Sequence, residues 1–402
     1  MAGRWDSCAR ATAPRRWTAV AALVLAGSSA LASSGPAPEQ PAPATERPAA
    51  PASGAGAVGA PDELGAHGVG YRTETIVDGT RPGRALTTAV WYPTRTRLPS
   101  AGSAGGPAPA SYEIAPNVGI QSRVAVADAP VQRGPFPLVV ISHGSAGDRT
   151  QLASLAEALA SHGFVVAAPD HPGDTMADFA AGRQEAQIAE ASDRPLDVSA
   201  VIDWMLCRYR DFGPVLNPGQ VAVVGFSFGG LTALVSSVGF LRVPADPRVK
   251  AVVALSPASA VLPAGVVARI RVPTLLIGGT IDPLTPIERN ADETFRELTS
   301  SPDRLEVRVP QGSHNSFTDL CDQAYLAANG QVPTGIRVRL QFGALVTCLP
   351  PLVDSGAARR VAQWYTVAYL ERHLLGDTRY DRFLTPAATG ALPVPVTVRR
   401  SP

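Results

Sequence analysis

Five short, almost continuously apolar runs and a sixth that alternates with charged residues, separated by segments with helical spacing, constrain the fold of this 402-residue chain more than any other feature. Continuous apolar runs are typical of parallel strands that are buried on both faces of a sheet. Their alternation with helices predicts crossover connections. The runs are 137–142, 163–168, 220–225, 250–255, 273–278 and 305–309. The sequence therefore predicts an α/β fold, a mostly parallel, doubly wound sheet of about eight strands with helices on both faces.

The N-terminus predicts export. Residues 1–32 combine several arginines, a short apolar run over 17–31 and the small-residue pattern Ala30-Leu31-Ala32, which together are typical of a cleavable signal peptide. The apolar run is short for a bilayer span, although an uncleaved anchor is the alternative. We therefore expect a secreted or cell-envelope protein without a stable membrane anchor after cleavage.

The remaining chain divides by composition. Residues 33–66 are rich in Ala, Pro, Ser and Gly, and such a segment cannot bury enough apolar surface to offset the entropy of ordering. We expect a disordered tether there. Residues 67–402 are expected to form a single folded domain, which opens with a β-hairpin. Gly- and Pro-rich composition predicts a surface insertion at 94–135 and a lid-like insertion at 318–355, before the last helix.

Charge excludes one class of partner. The chain has 35 basic and 34 acidic residues, for a formal net charge of +1. Proteins that bind nucleic acids carry a basic excess, so no nucleic-acid partner is expected.

The strongest chemical signal is Gly225-Phe226-Ser227-Phe228-Gly229, a G-x-S-x-G pattern. It directly follows the apolar run 220–224 and precedes a helical segment. This is the strand–turn–helix context of a nucleophile elbow, in which a strained turn lifts a serine Oγ above the sheet. The structural alternative is a tight turn with a helix-capping serine. We favour Ser227 as a nucleophile.

A serine hydroxyl needs a base, and the base needs an orienting acid. His314 lies in the loop after the last predicted strand, where hydrolases of this architecture place the base. Asp282 follows the run 273–278 and lies between Ser227 and His314 in the chain, so it is the expected acid. His171 is the competing base, although a pocket-wall role suits it better. The other acids in this stretch, which resemble helix-surface residues, are Glu288 and Asp292.

An oxyanion hole requires two backbone N–H groups. One is expected from Phe228, directly after the nucleophile, and the other from Ser145 in the Gly-containing loop after the run 137–142. The neighbouring residues His143 and Gly144, together with His171, are candidates for the substrate pocket.

Four segments together resemble the platelet-activating factor acetylhydrolase family and its bacterial relatives, often labelled predicted dienelactone hydrolases. They are His143-Gly144, 159–168, 225–230 and 312–319. The resemblance implies an α/β-hydrolase fold and a serine esterase that needs no metal or other cofactor. It also implies Ser227 as nucleophile, His314 as base, and N–H donors at Ser145 and Phe228.

The chain departs from these families at two positions. Animal phospholipase members carry the acid after the strand that follows the nucleophile helix, but residues 254–259 contain none, so Asp282 must serve. True dienelactone hydrolases use a Cys nucleophile, and Ser227 argues against that activity.

Two cysteines, Cys321 and Cys348, bracket most of the predicted lid-like insertion. Export would permit a bond between them. We hypothesise a disulfide that fixes this insertion beside the active site.

Together these patterns predict a secreted serine esterase that hydrolyses carboxylic esters by a Ser–His–Asp triad and an acyl-enzyme. The expected partner is a small-molecule, lipid or polyester substrate. The alternatives are a lipase or phospholipase A2-like acetylhydrolase, a polyesterase or a peptidase on the same fold, or a non-catalytic envelope protein that binds a ligand. The sequence makes no prediction of oligomeric state.

Overall fold

The computed structural model describes residues 58–99, 106–209, 211–329 and 332–401. The predicted signal peptide and most of the predicted tether lie outside these residues. An eleven-stranded sheet with the order β11-β10-β9-β8-β7-β5-β6-β2-β1-β4-β3 runs through the described part of the chain. The strands are β1 (Gly68–Val77), β2 (Ala85–Thr94), β3 (Pro109–Ala115), β4 (Val118–Ala127), β5 (Phe136–Ser142), β6 (Val165–Pro169), β7 (Leu216–Phe226), β8 (Val249–Leu255), β9 (Thr274–Gly279), β10 (Arg304–Val309) and β11 (Thr397–Ser401).

The predicted fold class is confirmed. Strands β6, β5, β7, β8, β9 and β10 pair in parallel, and β1 and β2 form the expected antiparallel hairpin. The helices of the described residues are α1 (Ala153–Ser161), α2 (Met176–Ala180), α3 (Gln187–Asp203), α4 (Phe228–Val238), α5 (Ala264–Val267), α6 (Ala291–Glu297), α7 (Leu320–Asn329), α8 (Thr334–Leu345) and α9 (Ser355–Leu374). Within the described ranges, none of them combines the length and apolar character needed to cross a bilayer.

Helices cover both faces of the sheet because each central strand is apolar on both sides. In β5, Val139 and Ile141 face a core completed by α1 and α9. Leu138 and Val140 face a second core completed by α3 and α4. Alternate side chains of a strand point to opposite faces, so a continuous apolar run serves both layers.

The expected count of about eight strands is wrong, and so is the assignment of 94–135 as a surface excursion. β3 and β4 lie within that segment and extend the sheet. Ala110, Tyr112 and Ile114 are buried at every second position of β3, and Trp91 Nε1 donates a hydrogen bond of 2.9 Å to Tyr112 Oη. This alternation is the pattern of a strand with one covered face. The additional strand β11 pairs with β10 at the opposite edge.

The described end of the predicted tether packs on the domain. Val58 and Ala60 contact the core, and Asp62 forms an ion pair of 2.7 Å with Arg360. His162 Nε2 donates a hydrogen bond to Glu63 O. The boundary at residue 66 is therefore too late, because these residues have partners on α1 and α9.

The predicted insertion at 318–355 contains α7 and α8, and the predicted Cys321–Cys348 disulfide is confirmed. Leu320, Ile336 and Leu340 form a small apolar cluster with Ile114 of β3 and Met176 of α2. The disulfide and this cluster hold the segment on the side of the domain where the parallel strands have their carboxyl ends.

Candidate active site

Ser227 lies in a strained turn between β7 and α4. Its backbone has φ +56° and ψ −118°, a conformation that L-residues rarely adopt. The backbone passes so close to positions 225 and 229, on either side of Ser227, that only glycine fits there. A Cβ at Gly225 would lie 1.9 Å from Gly229 O, and a Cβ at Gly229 would lie 1.9 Å from Ser142 O. Ser227 is half-buried, and its geometry is that of the predicted elbow.

The structure brings the three predicted triad side chains together. His314 Nε2 lies 2.9 Å from Ser227 Oγ, and His314 Nδ1 lies 2.8 Å from Asp282 Oδ2. A carboxylate oxygen can only accept, so Nδ1 carries the proton and Nε2 accepts from the serine hydroxyl. The chain order and the positions after β7, β9 and β10 match the sequence prediction.

Asp282 is held as a buried carboxylate. Oδ1 accepts the backbone N–H groups of Leu284 and Thr285, each at 2.8 Å. Burial acts to raise the pKa of Asp282, but the hydrogen bonds and charge of His314 and the bonds from Thr285 lower it below its ordinary value. The ionised form that can hold an imidazolium is thereby favoured.

Sequence reasoning missed Thr285. Its Oγ1 lies 2.7 Å from Asp282 Oδ2, 3.1 Å from His314 Nδ1 and 3.1 Å from Ser256 O. A threonine three residues after a candidate acid is a common turn pattern, and this was the available signal. Thr285 thus contacts both the predicted acid and the predicted base.

The loop after β5 lies beside Ser227, and most of its N–H groups already have acceptors. Gly144 N donates to Gln151 Oε1, Ala146 N to Asp174 Oδ1, and Gly147 N to Gly144 O. Among the hydrogen bonds of the described residues, neither Ser145 N nor Phe228 N is a donor. The two N–H groups predicted for the oxyanion hole are therefore available to a ligand.

The three pocket candidates do not line an open pocket. His143 is 2% exposed and His171 is 0% exposed, and a Cβ at Gly144 would lie 2.8 Å from the Phe226 ring. His143 Nδ1 donates to Gly144 O, and its Nε2 accepts the backbone N–H of His171. The prediction was wrong because both rings have hydrogen-bond partners beneath the loop.

His171 belongs to a second, buried Ser–His–Asp chain that the sequence did not reveal. Its Nε2 lies 2.9 Å from Ser142 Oγ, and its Nδ1 lies 2.8 Å from Asp197 Oδ2. Burial and the nearby charge of Arg194 lower the pKa of His171 to about 4, so the ring is neutral. All three side chains are buried. This chain braces β5, and the competing role of His171 as base to Ser227 has no support in the geometry.

The candidate site is built from side chains and backbone amides. Within the described ranges, no three His, Cys, Asp or Glu side chains are grouped as ligands of a metal ion would be.

Comparisons with known proteins agree with this architecture. The chain is 26% identical over 266 residues to cutinase est1 of Thermobifida alba, which covers 65% of this chain and 69% of that protein. It is 24% identical over 263 residues to the bis(hydroxyethyl) terephthalate hydrolase of Streptomyces coelicolor, covering 65% of this chain and 64% of that protein. The solved ferulic acid esterase from Streptomyces cinnamoneus is 26% identical, with a TM-score of 0.60 over 82% of this chain and 96% of that one.

The family assignment comes from a match to a sequence profile. The profile of the dienelactone hydrolase family matches residues 123–330, more than half of the chain. That range contains β5 to β10, Ser227, Asp282 and His314. The chain belongs to the dienelactone hydrolase family.

Proposed function

We propose that this protein is an exported serine hydrolase that cleaves carboxylic esters through an acyl-enzyme on Ser227. The observation that carries the proposal is the hydrogen-bond chain from the half-buried Ser227 Oγ through His314 to the buried Asp282. The names of the relatives, cutinase, terephthalate hydrolase and esterase, are those of carboxylic ester hydrolases, and this chain is one as well.

The proposed mechanism assigns one role to each group. His314 Nε2 takes the proton of Ser227 Oγ as the oxygen attacks the ester carbonyl. The N–H groups of Ser145 and Phe228 donate to the resulting oxyanion, and the N-terminus of α4 adds a favourable dipole. Protonated His314 then gives its proton to the departing alcohol. Water, activated by the same ring, hydrolyses the acyl-enzyme, while Asp282 stabilises the imidazolium in both steps.

Export is proposed from two observations. Residues 1–32 have the pattern of a cleavable signal peptide. The Cys321–Cys348 bond belongs to proteins that mature outside the reducing cytosol.

The decisive experiment is turnover of p-nitrophenyl acetate by wild type and Ser227→Ala. We expect kcat to fall at least about 10⁴-fold, because the other triad members cannot act without the nucleophile. Ser237→Ala, at the far end of α4, is the matched control and should leave kcat unchanged. A fluorophosphonate should label the wild type at Ser227. Turnover retained by Ser227→Ala would refute the proposal.

A polyester is the second candidate substrate, and a surface of α8 favours it. Val338, Phe342 and Leu345 are 59%, 63% and 64% exposed and share one helix face by their spacing. The neighbouring Arg339 donates to Ser145 O at 3.3 Å. The α8 face, defined by these three apolar side chains, therefore lies on a helix that contacts the proposed oxyanion loop. Exposed apolar groups on a helix that contacts the proposed site suit an extended, apolar ester.

A further inference from the structure

One buried arginine contacts the loop that carries the proposed oxyanion donor Ser145. Arg194 of α3 is 0% exposed. Its Nη1 donates to His143 O at 2.6 Å, and its Nη2 lies 3.4 Å from Gly144 O. The guanidinium thus binds two successive carbonyls of the loop after β5. A buried arginine that donates hydrogen bonds to backbone carbonyls fixes the orientation of the peptide groups to which those carbonyls belong.

A buried aspartate holds the next two residues of the same loop. Asp174 Oδ1 accepts Ser145 Oγ–H and Ala146 N–H, each at 2.9 Å, and its Oδ2 accepts Arg194 Nη2 at 2.5 Å. Four consecutive residues, 143–146, are therefore tied to one ion pair. The bond to Asp174 uses the hydroxyl of Ser145 and leaves its backbone N–H, for which the described residues provide no acceptor, available to a ligand.

The same cation reaches the second proposed donor. The Arg194 guanidinium carbon lies 5.0 Å from the centroid of the Phe228 ring, within the range of a cation–π contact. Phe228 directly follows Ser227 and supplies the other oxyanion N–H in the proposed mechanism. Arg194 thus contacts both Phe228 and the loop that carries Ser145, although Ser145 and Phe228 are 83 positions apart in the chain.

We propose that Arg194 and Asp174 are positioning residues that preorganise the oxyanion hole by fixing the 143–146 loop and the Phe228 ring. The inference rests on the proposed function. Burying two charges is costly, and this pair lies beneath the site rather than at the surface. Donors that are already aimed at the place where charge develops reorganise little during the reaction. Misplacing such a donor by about 1 Å costs on the order of 10²-fold in rate.

The primary test is Asp174→Asn, assayed for kcat, for KM and for binding of a trifluoromethyl ketone. Ser227 Oγ adds to the carbonyl carbon of the ketone and gives its proton to His314, which leaves an oxyanion on the former carbonyl oxygen. The affinity for the ketone therefore measures how well the oxyanion hole stabilises that charge. We expect kcat to fall about 10- to 100-fold, KM to change less than about threefold, and ketone affinity to fall in parallel with kcat/KM. Unchanged kcat, or reduced kcat with undiminished ketone affinity, would overturn the inference.

Asp246→Asn is the matched control. Asp246 is also buried and paired, with Arg248 at 2.6 Å, but it lies between α4 and β8, away from the loop. It should lower the melting temperature and leave kcat per labelled site unchanged, with labelled sites counted by a fluorophosphonate. An equal kcat loss in both variants would assign Asp174 a merely structural role.

Ser145→Ala decides the question if Asp174→Asn does not fold. This variant removes only the hydroxyl that Asp174 accepts and keeps the Ser145 N–H. We expect a reduction in kcat of about five- to tenfold with KM unchanged; an unaltered kcat would contradict the inference. Failure of the proposed function would be recognised in the wild type itself. If the wild type neither turned over esters nor reacted with the fluorophosphonate, both the proposed function and this inference would be overturned.

Discussion

At the scale of single residues, the site depends on what surrounds the triad. Asp282 receives four hydrogen bonds, from two backbone amides, Thr285 Oγ1 and His314. Burial acts to raise the pKa of Asp282, but the hydrogen bond and charge of His314 and the bonds from Thr285 lower it below the ordinary value. Thr285 is the one partner of Asp282 whose side chain can be removed without removing the triad.

Thr285→Val should therefore weaken catalysis without changing substrate binding. Hydrogen bonds to charged groups contribute about 1.5–3 kcal/mol, so we expect kcat to fall about tenfold with KM unchanged. The pKa of Asp282 should rise, and the acid limb of the pH–kcat profile should move to higher pH. Steady-state kinetics from pH 4 to 8 check both effects.

Thr294→Val is the control for that experiment. Thr294 is equally buried and donates to Ser259 Oγ, outside the triad. A kcat loss of the same size in Thr294→Val, or an acid limb that does not move in Thr285→Val, would argue against the assigned role.

At the scale of elements, the segment that contains α7 and α8 is hydrogen-bonded to the loops that carry His314 and Ser145. Ser313 Oγ, next to His314, donates to Val346 O at 2.6 Å, and Arg339 donates to Ser145 O. The Cys321–Cys348 bond closes the segment. Helix α8, which carries the α8 face, is consequently tied both to the loop of His314 and to the proposed oxyanion loop, and we expect the α8 face to contact an extended substrate.

Phe342→Ser should impair hydrolysis of a polyester film and spare small soluble esters. Partial burial of a Phe against an apolar surface contributes roughly 1 kcal/mol, so film hydrolysis should fall about fivefold. Turnover of p-nitrophenyl acetate should stay within about twofold. Release of soluble products from the film, measured by chromatography, provides the comparison.

Val77→Ser is the matched control, because Val77 is exposed to a similar extent on the β1–β2 hairpin. It should hydrolyse the film at the wild-type rate. If Phe342→Ser does so as well, the α8 face has no part in binding polymer.

At the scale of the whole molecule, stability depends on pH through buried acids. Burial raises the pKa of Glu157 to about 7 and, with the charge of Asp377, that of Glu371 to about 8, against 4.5 in the ordinary state. Between the ordinary pKa of 4.5 and these raised values, the two carboxyls are protonated in the folded protein and ionised in the unfolded chain. The free energy of unfolding therefore falls as pH rises through this interval.

Glu157→Gln should reduce this loss. Glu157 Oε1 accepts Tyr112 Oη–H and Ser122 Oγ–H, and an amide oxygen can accept both. Relative to wild type, the variant should gain up to about 3 kcal/mol at pH 9, from 1.36 kcal/mol per pKa unit, and little at pH 4.5. Urea unfolding at both pH values measures the difference.

Glu288→Gln, at an exposed acid, is the control and should track the wild type at both pH values. A gain by Glu157→Gln that is equal at pH 4.5 and pH 9 would show that ionisation of Glu157 is not its cause.

Sequence alone determined the features that are local in the chain. Apolar runs, the G-x-S-x-G pattern and the positions of Asp282 and His314 after their strands depend on neighbouring residues, and the carboxyl ends of parallel strands meet at one edge. From these, the central sheet and the geometry of Ser227, His314 and Asp282 could be predicted.

Only the tertiary structure decided what lies beneath and beside that site. The Gly- and Pro-rich composition of 94–135 predicted an insertion and gave no sign of β3 and β4. The alternate residues of β3 become buried only because the strand packs on the rest of the domain. His143 and His171 follow strands as pocket residues do, yet they are buried, because partners such as Asp197 come from a distant helix. Arg194 lies 51 positions from His143, whose carbonyl it binds. Contacts across such separations are set by packing, and no local pattern in the sequence encodes them.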